Sequence, residues 1–222
     1  MPLQLYGHPF SSYTQKVLTA LYENATPFDF RWIGPDAPGG ANAAAEWLQL
    51  WPLRKFPVLV DDDRTVVETS IIIEYLQLRH PGRVRLLPED PMAALDVRFL
   101  DRYFDLHVMN VMQIAVNGAL SGDPVKQRDG LAEAVERLER AYAWLEDYLV
   151  GRTWAVGEDF TLADCAAAPS LFYADWTHPI ADKYPLLRTY RARLLARPSF
   201  ARAVEEARPF RPYFPLGAPD RD

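Results

Sequence analysis

Two groups of polar residues in the first third of the chain could act on a bound ligand. Residues 11–14 are Ser-Ser-Tyr-Thr, and a helix begins there because Val17, Leu18 and Leu21 follow at helical spacing. Residues 68–70 are Glu-Thr-Ser and offer capping side chains to a second helix. Hydroxyl groups at the start of a helix can donate hydrogen bonds to a thiolate or another anion.

The second group follows a hairpin that contains a proline. Residues 55–60 are Lys-Phe-Pro-Val-Leu-Val, a polar turn occupies 61–64, and a second β-branched run covers 65–67. Pro57 has no N–H to donate, so it must stand at the first position of a strand or at an edge. A strand end, a proline and a polar helix start therefore lie together, which suits an extended peptide-like or anionic ligand.

These groups must be positioned by a small sheet. Residues 3–6 predict a first strand and 28–33 a second, a Pro/Gly loop covers 34–40, and a short helix covers 43–50. The order is β-α-β, a helix, then β-β-α. The first two strands should be parallel neighbours through a right-handed crossover, which predicts a four-stranded mixed sheet.

Helical patterns follow a linker. We predict a first domain over residues 1–80, a linker over 81–91 and an all-α domain over 92–222, with a proline-rich tail from 208 that cannot be helical throughout. One face of the first long helix carries Leu95, Phe99, Tyr103 and Leu106. A charged stripe, predicted to face a dimer cleft or water, carries Arg98, Asp101 and Asp105.

Four further helical segments follow in the all-α domain. A second long helix has the apolar stripe Leu131, Val135, Leu138, Tyr142, Leu145 and Leu149. A capping box of Thr161 and Asp164 opens an Ala-rich helix, and two more helices cover 186–195 and 200–207.

Composition excludes several functions. The 222 residues are 49% hydrophobic and 24% charged, and no apolar run approaches membrane-spanning length. A net charge of −6 argues against a nucleic-acid ligand. No phosphate-binding glycine loop or metal-ligand spacing is visible, and no signal peptide is expected. The single cysteine, Cys165, is expected to be a small buried residue, and a reducing cytoplasm is the natural compartment.

The order of elements resembles thioredoxin, but residues 11–14 replace its Cys-x-x-Cys, so dithiol exchange is excluded at this position. The chain is similar to the cytosolic glutathione transferases over nearly its full length. The resemblance rests on three motifs: Lys-Phe-Pro-Val-Leu at 55–59, Glu68-Thr69 followed by Ile72 and Tyr75-Leu76, and the box of Thr161 and Asp164. It implies an α/β thioredoxin-like domain followed by an all-α domain, with glutathione as substrate or cosubstrate and no metal.

The resemblance also assigns roles to residues. Pro57 should be cis, with the Phe56 backbone pairing with the cysteinyl part of glutathione. Glu68 and Thr69 should hold its γ-glutamyl end and Lys55 its glycine carboxylate. Trp51 and Arg54 depart from the family's usual Asn and Gly, and Arg54 could add a carboxylate contact.

The serine-type classes place the thiol partner at Ser11, whose position a plain helix N-cap would also explain. Ser12, Tyr13 and Tyr6 remain alternatives, although Tyr6 is better explained as a core aromatic. The second substrate should contact Phe10, Tyr13, Met109 and Met112. Packing in the core is the competing explanation for the two methionines.

The resemblance therefore implies a detoxifying glutathione transferase that conjugates small hydrophobic electrophiles and forms a homodimer. The sheet domain of one subunit would pair with the long helices of the other. Two alternatives stay open: a glutathione-dependent isomerase or peroxidase/reductase on the same fold, and a non-catalytic interaction protein.

Overall fold

The protein is described by a computed structural model that covers residues 2–38 and 42–222. The predicted loop at 34–40 therefore lies partly outside the described residues, as does residue 1 of the predicted first domain.

The first part of the chain builds a four-stranded sheet with the order β2-β1-β3-β4. Its elements are β1 (Leu3–Gly7), α1 (Ser12–Glu23), β2 (Phe28–Trp32), α2 (Ala44–Leu50), β3 (Val58–Asp61), β4 (Arg64–Val67) and α3 (Thr69–Arg79). β1 and β2 are parallel, whereas β3 runs antiparallel to β1 and β4. The predicted mixed sheet and its order of elements are confirmed, and the topology is thioredoxin-like.

The second part is helical. It comprises α4 (Pro91–Tyr103), a π-helical turn (Phe104–Met109), α5 (Asn110–Leu120), α6 (Pro124–Tyr148), α7 (Leu162–Thr177), α8 (Pro185–Ala196), α9 (Pro198–Ala207) and a 3-10 helix (Arg208–Tyr213). α3 ends at Arg79 and α4 begins at Pro91, which supports our proposal that the domains divide within 81–91.

The Ala-rich helix α7 forms the centre of the helical domain, and fifteen of its residues are buried. The Asp164 carboxylate accepts hydrogen bonds from the backbone N–H of Thr161 (2.8 Å) and of Ala155 (2.8 Å) and from the Tyr190 hydroxyl (2.7 Å). The predicted capping box is therefore present. It also ties α8 and the loop before α7 to the start of this helix.

The first long helix buries a face other than the apolar one singled out from the sequence, and the predicted charged stripe is wrong at Asp101. Leu95, Phe99 and Leu106 are about half exposed, whereas the core side of the helix carries Ala94, Val97, Leu100 and Phe104. Asp101 is 1% exposed and is not part of a surface stripe. The helix has two apolar faces, and the buried one contains a carboxylate because Lys16 of α1 neutralises it there.

No helix in residues 2–38 and 42–222 combines the length and apolarity that crossing a membrane requires.

Candidate functional site

A cavity of about 960 Å³ lies between the sheet domain and the helical domain, and we call it the interdomain cavity. Most of the side chains singled out from the sequence line it: Phe10, Ser11, Ser12, Tyr13, Trp51, Lys55, Phe56, Pro57, Glu68, Thr69 and Met112. Residues that are far apart in the chain are thus brought together on one surface.

The Phe56–Pro57 peptide bond is cis, as the resemblance implied. The β3 ladder with β1 and β4 begins at Val58, so the peptide groups of Phe56 lie ahead of the sheet pairing. The Trp47 indole N–H donates to the carbonyl of Lys55, the residue before Phe56, at 2.9 Å and holds it in place. The main chain at Phe56 is therefore available at the cavity wall for an extended ligand.

Helix α3 begins at the cavity with Thr69, which is buried. Glu68 precedes it with a φ of 68°, a left-handed conformation that is uncommon for a residue other than glycine. Among the described residues, the Glu68 side chain makes no capping hydrogen bond to this helix. The exposed carboxylate and the first N–H groups of α3 are thus left to a ligand, and simple helix capping does not explain Glu68.

Ser11 is the N-cap of α1. Its Oγ accepts a hydrogen bond from the Thr14 backbone N–H (3.3 Å), which leaves the hydroxyl hydrogen to donate. Ser11 thus combines the capping role with a place on the cavity wall.

The loop before Ser11 is held from the helical domain. The buried Gln15 amide donates to the Pro9 carbonyl (3.0 Å) and to the Tyr173 hydroxyl (3.0 Å), and Tyr173 donates to the Phe10 carbonyl (3.1 Å). Because Tyr173 belongs to α7, the position of Ser11 depends on how the two domains pack.

A second interdomain link is ionic. Lys16 is fully buried on α1 and pairs with Asp101 (2.6 Å) and Asp105 (2.7 Å) of the helical domain. Ser70 of α3 donates to Asp101 (2.6 Å). Burial alone would lower the pKa of Lys16, but Asp105 and Asp101 outweigh it and raise that pKa, so the ammonium stays charged. This cluster fixes the starts of α1 and α3 against α4 beneath the cavity.

The two tyrosine alternatives differ. The Tyr13 hydroxyl donates to Asn110 Oδ1 (2.7 Å) across the cavity. Burial raises the pKa of Tyr13, and the charges of Asp105 and Glu68 raise it further, so the phenol stays protonated. Tyr6 does not line the cavity, and its hydroxyl donates to Glu46 (3.0 Å).

Two sequence-derived candidates lie elsewhere. Met109 is 1% exposed and packs in the helical core, so core packing explains it, whereas Met112 does reach the cavity. Arg54 is exposed with a φ of 55° and does not line the cavity.

Several lining residues were not found from the sequence: Arg102 of α4, Asn110, Gln113 and Asn117 of α5, and Tyr213, Phe214 and Pro215 of the tail. The spacing of the three amide residues was a usable signal, because residues at i, i+3 and i+7 share one helix face.

The proline-rich tail closes one side of the cavity. Phe214 is buried against Tyr173 and Trp176, with ring centroids 6.2 and 5.3 Å away. The Tyr213 hydroxyl donates to Asp36 (2.7 Å) on the sheet domain. The tail is thus ordered across both domains, which its proline content did not predict.

The described residues offer neither a metal-ligand cluster nor a reactive thiol. No group of three or more His, Cys, Asp or Glu side chains is arranged to hold a metal ion in the parts of the chain described here. Cys165 is buried and unpaired, and burial raises the pKa of its thiol well above the usual value, which makes it unreactive.

Comparison with known proteins gives consistent matches to both halves. The family model described as "Glutathione S-transferase, N-terminal domain" matches residues 5–84, and "Glutathione S-transferase, C-terminal domain" matches 104–198. A protein from Vibrio cholerae named probable maleylacetoacetate isomerase is 28% identical over 94% of this chain and 98% of its own length. Glutathione S-transferase 3 of Zea mays is 30% identical over 91% of this chain and 93% of its own length.

A solved structure is similar in fold. The crystal structure of a glutathione S-transferase from Methylobacillus flagellatus, described with glutathione bound, superposes with a TM-score of 0.74 and 27% identity, covering 90% of this chain and 98% of the other.

Proposed function

The chain belongs to the glutathione S-transferase family, and on this premise we propose that it binds glutathione in the interdomain cavity and activates its thiol for conjugation to small electrophiles. The observation that carries the proposal is the convergence of three features on one wall. These are the cis Phe56–Pro57 peptide, the start of α3 at Glu68 and Thr69, and the Ser11 hydroxyl at the start of α1.

Glutathione would lie extended along this wall. We infer that its cysteinyl part pairs with the Phe56 main chain, and that Glu68, Thr69 and the free N–H groups of α3 hold the γ-glutamyl end. Lys55 would meet the glycine carboxylate. Arg102 lines the cavity and follows Asp101 in the chain, and Asp101 accepts a hydrogen bond from Ser70 of α3. The guanidinium of Arg102 would therefore add a positive charge near the γ-glutamyl carboxylate.

Ser11 would hydrogen-bond the sulfur without becoming a nucleophile. A thiol with a pKa near ~8.5 is only about 3% ionised at neutral pH, and lowering that pKa by about two units requires about 2.7 kcal/mol of preferential stabilisation of the thiolate. One hydrogen bond to a charged sulfur supplies roughly 1.5–3 kcal/mol. The N-terminal end of α1 adds a few tenths to about 1 kcal/mol.

The second substrate would occupy the rest of the cavity, between Phe10, Tyr13, Met112 and the tail. Phe10 and Phe214 provide apolar surface there, which suits a small hydrophobic electrophile. Removal of such electrophiles is a detoxifying role, and the free, buried Cys165 is compatible with a reducing cytoplasm.

A second candidate function is glutathione-dependent isomerisation, which the name of the Vibrio cholerae relative favours. It would use the same bound thiolate, added to a double bond and then eliminated. Peroxide reduction and a non-catalytic interaction role need no different fold. The product distinguishes peroxide reduction, and the absence of glutathione binding distinguishes the non-catalytic role.

We also propose that the protein is a homodimer. Leu95 and Phe99 of α4 are 54% and 50% exposed, and the Trp144 side chain of α6 packs against Phe99. α3 exposes Leu78 of the sheet domain. Apolar surface of this kind on both domains suits an interface in which the sheet domain of one copy meets α4 and α6 of the other.

The test is calorimetric titration with glutathione, followed by incubation with 1-chloro-2,4-dinitrobenzene and mass spectrometry of the product. Binding together with the thioether conjugate supports the proposal. Binding without a conjugate, but with isomerised product from a matching substrate, selects the second candidate, whereas a reduced peroxide selects peroxide reduction. Absence of glutathione binding leaves the non-catalytic role.

A further inference from the structure

Helix α5 presents a row of three carboxamides to the interdomain cavity: Asn110, Gln113 and Asn117. Residues at i, i+3 and i+7 lie on one face of a helix, and the opposite face, with Val111 and Ala115, is buried in the core. A purely apolar pocket gains nothing from such a row, because each amide presents hydrogen-bonding groups that an apolar ligand would leave unsatisfied.

The first amide has a fixed orientation. Tyr13 donates its hydroxyl hydrogen to Asn110 Oδ1 at 2.7 Å, and burial of the phenol raises the pKa of Tyr13, which keeps it protonated. The carbonyl oxygen of Asn110 is therefore turned toward Tyr13. Its two N–H donors are directed away from Tyr13, on the other side of the amide.

This amide contacts the first turn of α1, the helix that Ser11 caps. Tyr13 follows Ser11 by two residues in the first turn of α1, so its partner Asn110 faces the turn that carries the thiol donor. Farther along α5, Gln113 donates to Asn117 Oδ1 at 3.1 Å, which continues the polar row about 10 Å beyond Asn110 along the helix axis.

We propose that the second substrate is an electrophile conjugated to a carbonyl group, an enone or enal, whose oxygen accepts a hydrogen bond from the Asn110 amide. This inference rests on the proposed function and narrows its substrate class. The thiolate sulfur forms a bond to the β-carbon, the π pair of the C=C bond shifts toward the carbonyl, and the oxygen takes up the charge as an enolate. Nothing leaves, and the α-carbon then takes a proton from water.

The Asn110 amide favours this step because its hydrogen bond strengthens as the oxygen becomes charged. A chloronitroarene, by contrast, spreads its charge over the ring and the nitro groups and releases chloride. It therefore depends less on a single donor, and it serves as the comparison substrate.

The experiment measures kcat/KM with saturating glutathione for 4-phenylbut-3-en-2-one and for 1-chloro-2,4-dinitrobenzene. It compares the wild-type protein with Asn110→Leu and Asn110→Asp. The aspartate keeps an acceptor for the Tyr13 hydroxyl but has no N–H, so it separates loss of the donor from disturbance of Tyr13. Gln127→Leu, on exposed surface of α6 outside the cavity, is the control.

We expect the enone-to-arene ratio of kcat/KM to fall about tenfold in both Asn110 variants, equivalent to about 1.4 kcal/mol, and to stay unchanged in the control. A ratio that stays within about twofold of the wild-type value in both variants overturns the inference. So does a wild-type protein that converts the arene and not the enone. Failure with both substrates overturns conjugation itself, whether or not calorimetry detects bound glutathione.

Discussion

Ser11 shows how far a single residue can be interpreted from sequence. Its position before an apolar helical pattern predicted an N-cap, and Ser11 Oγ does accept the Thr14 N–H. The resemblance added a second role, a hydrogen bond from Ser11 to the glutathione thiol. That role requires Ser11 to lie on the cavity wall, and it does. Its neighbour Tyr13 was expected to contact a substrate, but its partner Asn110 could not be foreseen because it belongs to the other domain.

Glu139 of α6 provides a pH test of stability at the residue scale. Lys183 and His178 hydrogen-bond the carboxylate and, with Tyr184, lower the pKa of Glu139 to about 2 from 4.5. A carboxyl whose folded pKa is depressed stabilises the fold above its unfolded pKa. That contribution is lost as the pH falls from about 4.5 toward about 2.

We therefore expect Glu139→Gln to make the free energy of unfolding less dependent on pH over this interval, measured by urea denaturation at several pH values. Glu136→Gln, on an exposed side of the same helix, is the control. Equal acid sensitivity of wild type and Glu139→Gln would contradict the account.

At the scale of elements, the buried cluster of Lys16, Asp101 and Asp105 joins α1 to α4 and to the π-helical turn that follows α4. Replacing Lys16 with Met leaves two acidic groups buried without their cation, which costs roughly 3–5 kcal/mol for a buried pair that loses one partner. We expect a loss of this size in the free energy of unfolding, measured by denaturant titration.

The matched variant combines Lys16→Met with Asp101→Asn and Asp105→Asn, which removes the charges together. It should recover part of the lost stability, because no uncompensated charge is then buried. A triple variant less stable than Lys16→Met alone would show that the pairing of these charges is not the source of the cluster's contribution to stability.

The same cluster shows which property of a helix could not be predicted from the sequence. Strands β1 to β4 and the order of helices followed from periodicity and from Pro57. The buried face of α4 did not, because both of its faces are apolar and Asp101 appears solvated until Lys16 is brought to it by the fold. Periodicity reports which residues share a face, and the partner element decides which face is buried.

At the scale of the whole molecule, the exposed apolar surface on α4 and α6 predicts a dimer. Phe99 packs against Trp144 (5.9 Å between ring centroids), which in turn stacks on Tyr103 (4.4 Å). Phe99→Glu would bury a carboxylate in the interface, so we expect the dimer Kd to rise by roughly two orders of magnitude or more.

Light scattering at micromolar concentration measures this change. Val125→Glu, an exposed apolar position at the start of α6, is the control and should remain dimeric. A monomeric wild-type protein would remove the proposal of a dimer.

The tail is the feature of the whole molecule that sequence reasoning described least well. Four prolines excluded a continuous helix, and α9 does end at Ala207. The placement of Phe214 against Tyr173 and Trp176, however, needs aromatic surface that only the packed α7 provides. The half of the cavity that we propose binds glutathione could be predicted from local motifs, whereas the half formed by α5 and the tail depends on tertiary packing.

The most direct test of the central claim is the ionisation of the bound thiol, measured as thiolate absorbance against pH with glutathione and the protein. For the wild-type protein we predict a thiol pKa lowered by about two units from ~8.5. Ser11→Gly removes the hydroxyl at a cost to the helix cap of only a few tenths of a kcal/mol, and it should return the pKa most of the way to ~8.5. Bound glutathione with an unshifted thiol pKa, or a shifted pKa that Ser11→Gly leaves in place, would contradict the account.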